Sequence, residues 1–159
     1  MGFNLIKRSV IITALVGING CASVAMEGSY FDFRDNMSDE KALSYYSTQG
    51  LCELKGHHLR LARSNPYYSA NDPDWISTKD RLLSLIEAKG TFSQTELDLV
   101  KDQKIQRGMS ELAAYCSWGF PIRKNNSTGS WGRSTQAVLP GDTYLYFDNG
   151  VLKSWQTSD

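Results

Sequence analysis

The chain has 159 residues, with 17 basic and 17 acidic side chains and a formal net charge of zero when both histidines are neutral. That balance supplies no basic field for nucleic acid, and the length fits one ordinary domain that can bury most of its surface without metals.

The first element is a leader. MGFNLIKR carries Lys7 and Arg8, and SVIITALVGING then supplies an apolar run of roughly a dozen residues, the layout of a secretory signal. A spanning helix needs about 20 apolar residues, and Asn19, Gly20 and Glu27 interrupt this run too soon. Two cleavage sites compete. Ile18-Asn19-Gly20-Cys21 resembles a bacterial lipobox, although Asn19 stands where a small apolar or hydroxyl residue is usual; it makes residues 1–20 a lipoprotein-type signal peptide and Cys21 the acylated anchor. Ser23-Val24-Ala25 would instead release a soluble protein beginning at Met26. Ala22 after the cysteine, where Asp often marks inner-membrane retention, favours the outer membrane if the likeness to lipoproteins holds. Removing Lys7 and Arg8 with the leader leaves 15 of the 17 basic side chains against 17 acidic ones, a charge of −2.

Either site leaves Cys52 and Cys116, an even pair in a compartment that permits disulfides. A bridge between them is expected; two buried free thiols packed as small hydrophobes are the other reading.

Residues 21–37 form an expected lipid-anchored tether whose Tyr30, Phe31 and Phe33 dock on the domain or lie near the membrane surface. A single α+β domain then spans 38–159, helical over 38–105. Ser38 reads as an N-cap followed by Asp39 and Glu40 at the positive end of a helix dipole. Leu51, Leu54, His58, Leu61 and Ala62 follow a helical period over 51–63. The prolines of SNPYYSANDPDW break it. Helix signals resume at Ser77, and Leu82, Leu83, Leu85 and Ile86 make a stripe that Gly90 ends. Ser93-Gln94-Thr95-Glu96 is a capping box before Leu97, Val100 and Ile105.

Over 108–159 a short helix from Ser110 to Trp118 stops at Gly119 and Pro121, and strands are expected near 121–126, 133–139, 142–147 and 151–156. Asn149-Gly150 is a type I′ hairpin signal. A regular hairpin there pairs Phe147 with Leu152 and Leu145 with Ser154. It leaves Tyr144, Tyr146, Lys153 and Trp155 on the opposite face, a candidate partner surface. The expected fold is therefore α+β, with N-terminal helices packed on a small antiparallel sheet of three to four strands ending in a β-hairpin.

Gly108-Met109-Ser110, Ser117-Trp118-Gly119-Phe120-Pro121, Tyr144-Leu145-Tyr146-Phe147-Asp148-Asn149-Gly150 and Ser154-Trp155-Gln156 together resemble small bacterial outer-membrane lipoproteins of the SmpA/OmlA type, the BamE-like domain. The resemblance covers residues 108–156. It implies a fold of two helices and three strands, and a setting like that of accessory subunits of the outer-membrane β-barrel assembly machine. Gln136-Ala137-Val138-Leu139 departs from the aromatic-rich strand that several members carry, and the helical region before Gln103 is longer than the family core.

Reactive groups are sparse. His57 and His58 point about 100 degrees apart on a helix and lack a spaced third ligand. Cys52 and His57 stand five apart, off the facing spacings of three or four that a nucleophile and its base would use. Asp72, Asp74 and Asp80 around Trp75 lack the order of an EF-hand loop. Trp118, Trp131 and Trp155, with Tyr144 and Tyr146, either seal helix against sheet or form a binding face. The expectation is a non-catalytic exported lipoprotein without cofactor or metal, held by its lipid on the periplasmic face of the outer membrane. It would bind a protein partner of the envelope through a sheet face or edge strand. A soluble periplasmic inhibitor or immunity-type protein, and a small hydrolase with an unrecognised site, are the alternatives.

Overall fold

The computed structural model describes residues 30–64 and 73–157, so the leader, Cys21 and Asp72 lie outside the described residues. Among the described residues, six helices precede an antiparallel sheet: α1 (described over 30–36), α2 (Asp39–Tyr45), α3 (Thr48–Ser64), α4 (Pro73–Ala88), α5 (Gln94–Lys101) and α6 (Glu111–Trp118). The strands β1 (Arg123–Gly129), β2 (Gly132–Leu139), β3 (Thr143–Asp148) and β4 (Val151–Gln156) lie in the sheet in chain order. The architecture is α+β, as the sequence indicates.

Local chemistry explains most boundaries. Ser38 accepts from the Lys41 amide at the start of α2, and Ser93 and Glu96 form the reciprocal capping box of α5. Residues 30–37, assigned from sequence to the tether, are folded onto the domain: Tyr30 and Phe33 are fully buried, and Met37 is buried. Arg81 of α4 holds them there, donating to the Phe33 and Met37 carbonyls and to Asp39 while its guanidinium lies 4.4 Å over the Phe33 ring. Helix α4 begins at Pro73 rather than near Ser77. A proline fits a first turn because the donor it lacks has no helical partner there, and the early start buries Trp75.

The sheet departs from expectation at its first strand, which runs over Arg123–Gly129 instead of 121–126. Its polar run NNST reads locally as a turn, yet pairs in unbroken register with β2 up to the Ser130-Trp131 turn. Pairing with a neighbouring strand outweighs weak local preference. The core fills the space between the helices and one sheet face, where Ala137, Leu139, Leu145, Phe147 and Leu152 meet Ala113, Ala114 and Tyr115 of α6. Cys52 and Cys116 form a disulfide that joins α3 to α6. A loop of 64 residues closed in this way stabilises the fold by about 4 kcal/mol in the chain-entropy model.

Candidate functional site

The sheet has two unlike faces, and the β3–β4 hairpin decides which residues reach each one. Asn149 and Gly150 adopt the positive φ of the expected tight turn, at 49° and 78°. Phe147 pairs with Leu152 as the sequence suggests, but Tyr146 pairs with Ser154, so Lys153 is an extra residue in a β-bulge. The bulge shifts every later residue by one position. Trp155 therefore pairs with Leu145, not Ser154 with Leu145, and it turns to the helix side. There its ring meets Trp118 edge-on at 6.3 Å. The four-residue surface expected from Tyr144, Tyr146, Lys153 and Trp155 is thus divided. Tyr144 and Tyr146 share the outer face, Lys153 is exposed at the bulge, and Trp155 belongs to the inner face.

The outer face is polar with an aromatic centre. The amide of Asn125 donates to Gln136 at 2.8 Å, and the Gln136 amide donates to the Tyr146 hydroxyl at 3.3 Å. This ladder crosses β1, β2 and β3 and fixes the Tyr146 ring. Tyr144 pairs with Val138, which is buried although it lies on this face. Ser134 donates to Asp148 at 2.9 Å. The result is a pre-ordered surface of amides, hydroxyls and two half-buried tyrosine rings, suited to a protein contact that combines aromatic area with hydrogen bonds.

Behind the sheet, Glu111 gathers Tyr115, Lys124 and Arg133, at 2.9, 2.8 and 3.0 Å. Burial alone would raise its carboxyl; the hydrogen bonds from Lys124 and Tyr115 and the nearby cations outweigh that and hold it below the usual glutamate range. The arrangement locks the N-terminal end of α6 to β1 and β2. Burial and then Glu111 push the Tyr115 hydroxyl above the ordinary tyrosine range.

Among the described residues, α3 buries two titratable side chains: His58, which the sequence already places on the helical stripe, and Lys55, which it does not single out. Lys55 is 1% exposed and donates to the Cys116 carbonyl at 3.0 Å. Desolvation, with a smaller contribution from Lys79, lowers its pKa to about 8. His58 is fully buried, stacked on Trp75 with centroids 3.4 Å apart and hydrogen-bonded through Nδ1 to the Tyr30 hydroxyl at 2.6 Å. Desolvation lowers its pKa to about 4, against the opposing pull of the Trp75 backbone. For Lys55 the signal was present, since it lies at helical spacing between Leu51 and His58 of that stripe.

Cys52 is oxidised in the bridge, which removes the thiolate that a Cys52/His57 nucleophile pair would need. No group of three His, Cys, Asp or Glu suited to a metal occurs among the described residues. Asp74 stands in the first turn of α4, where its carbonyl accepts from the Ser77 and Thr78 hydroxyls, and Asp80 is exposed on the same helix. Trp131, at the tip of the β1–β2 turn, is 72% exposed and stands apart from the Trp118–Trp155 pair. A cleft of about 350 Å³ opens between α3, the end of α6 and the β2–β3 turn, with Leu59, Arg60, Trp118, Phe120, Pro140 and Thr143 on its walls. Comparison with protein-family models, curated proteins and solved structures gives no match to this chain.

Proposed function

We propose that this chain is an exported, non-catalytic lipoprotein that presents the outer sheet face to a protein partner of the bacterial envelope. Cys21 tethers it to the periplasmic face of the outer membrane, and its role is binding or scaffolding in envelope assembly or maintenance. The Cys52–Cys116 bridge carries the reading, because a fully buried disulfide between two helices suits an oxidising compartment. The basic and apolar leader and the lipobox-like residues before Cys21 support export and anchoring, and the resemblance of residues 108–156 to SmpA/OmlA-type lipoproteins agrees with them. Tyr146, held by the Asn125–Gln136 ladder, and Tyr144 on the same face supply the binding area.

The test places a photo-crosslinking amino acid at Tyr144 or Tyr146 in cells, with Glu40 on the exposed helix surface as control. A discrete crosslinked envelope protein from both tyrosine positions and none from the control is the expected result. Equal yields at all three positions would remove the outer face from the account.

A further inference from the structure

The cleft of about 350 Å³ between α3, the end of α6 and the β2–β3 turn lies at the small end of the range for ligand sites. Its walls are fixed before anything enters. The Cys52–Cys116 bridge ties α3 to α6, and Lys55 repeats that tie with its hydrogen bond to the Cys116 carbonyl. Trp118 is held by its own donation to the Gln103 carbonyl at 3.0 Å and by the edge of Trp155, and Phe120 leans on Tyr115 with ring centroids 5.7 Å apart. A preformed wall spares a ligand the work of ordering it.

Gly56 has no packing reason to be a glycine. It sits in the interior of α3, where glycine weakens a helix relative to alanine. Among the described residues, the nearest atom to an added Cβ outside the helix backbone is Arg60 Nη1 at 3.6 Å, and no other lies within 4 Å. No second element approaches there. What the missing side chain leaves open is a stretch of cleft wall, beside which Arg60, one turn along the same helix, lays its guanidinium. Arg60 is the single charged side chain among the described residues that line the cleft. The carbonyls at the end of α6, which would repel an anion, are engaged: Tyr115 accepts from the Gly119 amide at 2.8 Å and Cys116 from Lys55. Leu59, Trp118, Phe120 and Pro140 make the rest apolar.

A guanidinium beside an aromatic and aliphatic hollow selects a molecule with one anionic end and an apolar body. We infer that the cleft binds a small monocarboxylic acid, its carboxylate paired with the Arg60 guanidinium and its apolar body laid against Leu59, Trp118 and Phe120. One cation matches one carboxylate, whereas a phosphate monoester brings close to two charges. At about 30 Å³ for each water-sized group, a cleft of about 350 Å³ holds on the order of a dozen of them, the size of a ten-carbon acid. A two-chain lipid does not fit. Binding there requires neither the partner of the outer sheet face nor lipid at Cys21.

A decanoic acid carrying a diazirine on its chain, photolysed with the purified, oxidised protein in detergent and mapped by mass spectrometry, tests the site. Label is expected on segments 56–60, 118–120 and 139–143 and is expected to be displaced by excess decanoate. Decanol keeps the body without the charge, and butyrate keeps the charge without the body; each is expected to compete at least about tenfold less well than decanoate. Gly56→Leu fills the hollow with a side chain suited to a helix. It is expected to abolish labelling while the thermal midpoint stays at or above that of the native chain. Arg60→Gln is expected to retain the label but to make decanoate compete no better than decanol. Equal competition by decanol and decanoate on the native chain, or undiminished labelling of Gly56→Leu, would overturn the proposal. Label spread over the exposed surface or confined to the outer sheet face would overturn it as well.

Discussion

Lys55 shows how one side chain can work against the fold that holds it. Its pKa in the folded chain is about 8, below the ordinary lysine value of 10.5, so the buried ammonium is disfavoured by roughly 3 kcal/mol. Between those values the unfolded chain binds more protons than the folded one, and stability rises with pH; below pH 8 the full penalty is present. Replacing Lys55 with Met removes the charge but also the hydrogen bond to Cys116. Lys55→Met is therefore expected to raise stability at neutral pH by about 1–2 kcal/mol and to flatten the alkaline rise, as measured by urea unfolding at a series of pH values. His58 acts on the acid side. Its folded pKa of about 4 lies below the ordinary 6.5, so its neutral form stabilises above that range and the contribution is lost as pH falls from 6.5 to 4. His58→Gln is expected to lose stability at pH 7 and to reduce the slope across that window. An unchanged slope would mean that another group titrates there.

At the scale of elements, the hairpin and the bridge each make a separate claim. Asn149 holds positive φ, and its side chain accepts from the Arg133 amide at 2.9 Å, tying the β3–β4 turn to β2. Asn149→Ala is expected to destabilise by about 1–2 kcal/mol in thermal unfolding, through strain and an unsatisfied amide. The double variant Cys52→Ser/Cys116→Ser is expected to lose about 4 kcal/mol, with the helices α3 and α6 parting first in hydrogen exchange. Exchange protection equal to that of the native chain would contradict the bridge as the main tie between them. Helix caps, the Asn-Gly turn and the cysteine pair were legible in the sequence because each rests on residues close together or on a count. The bulge at Lys153 was not legible, since nothing in LKSW distinguishes a regular strand from one that carries an extra residue. That single insertion moved Trp155 from the expected binding face to the helix side. The docking of Tyr30 and Phe33 on the domain is one of two readings the sequence leaves open, and what holds them there, Arg81, lies more than forty positions away.

For the whole molecule, a bridged helical layer and a four-stranded sheet with one polar aromatic face are observed, and the leader over residues 1–20 with its anchor at Cys21 is proposed. The central claim is that the domain works while tethered to a membrane. The most direct measurement is the intact mass of the mature protein extracted from its native membrane, alkylated before and after reduction. The account expects a chain beginning at Cys21 with added acyl mass, and two further alkylations that appear only after reduction, at Cys52 and Cys116. A chain beginning at Met26 without lipid would contradict the tether and turn the search to soluble periplasmic targets; alkylation of Cys52 and Cys116 without reduction would contradict the bridge.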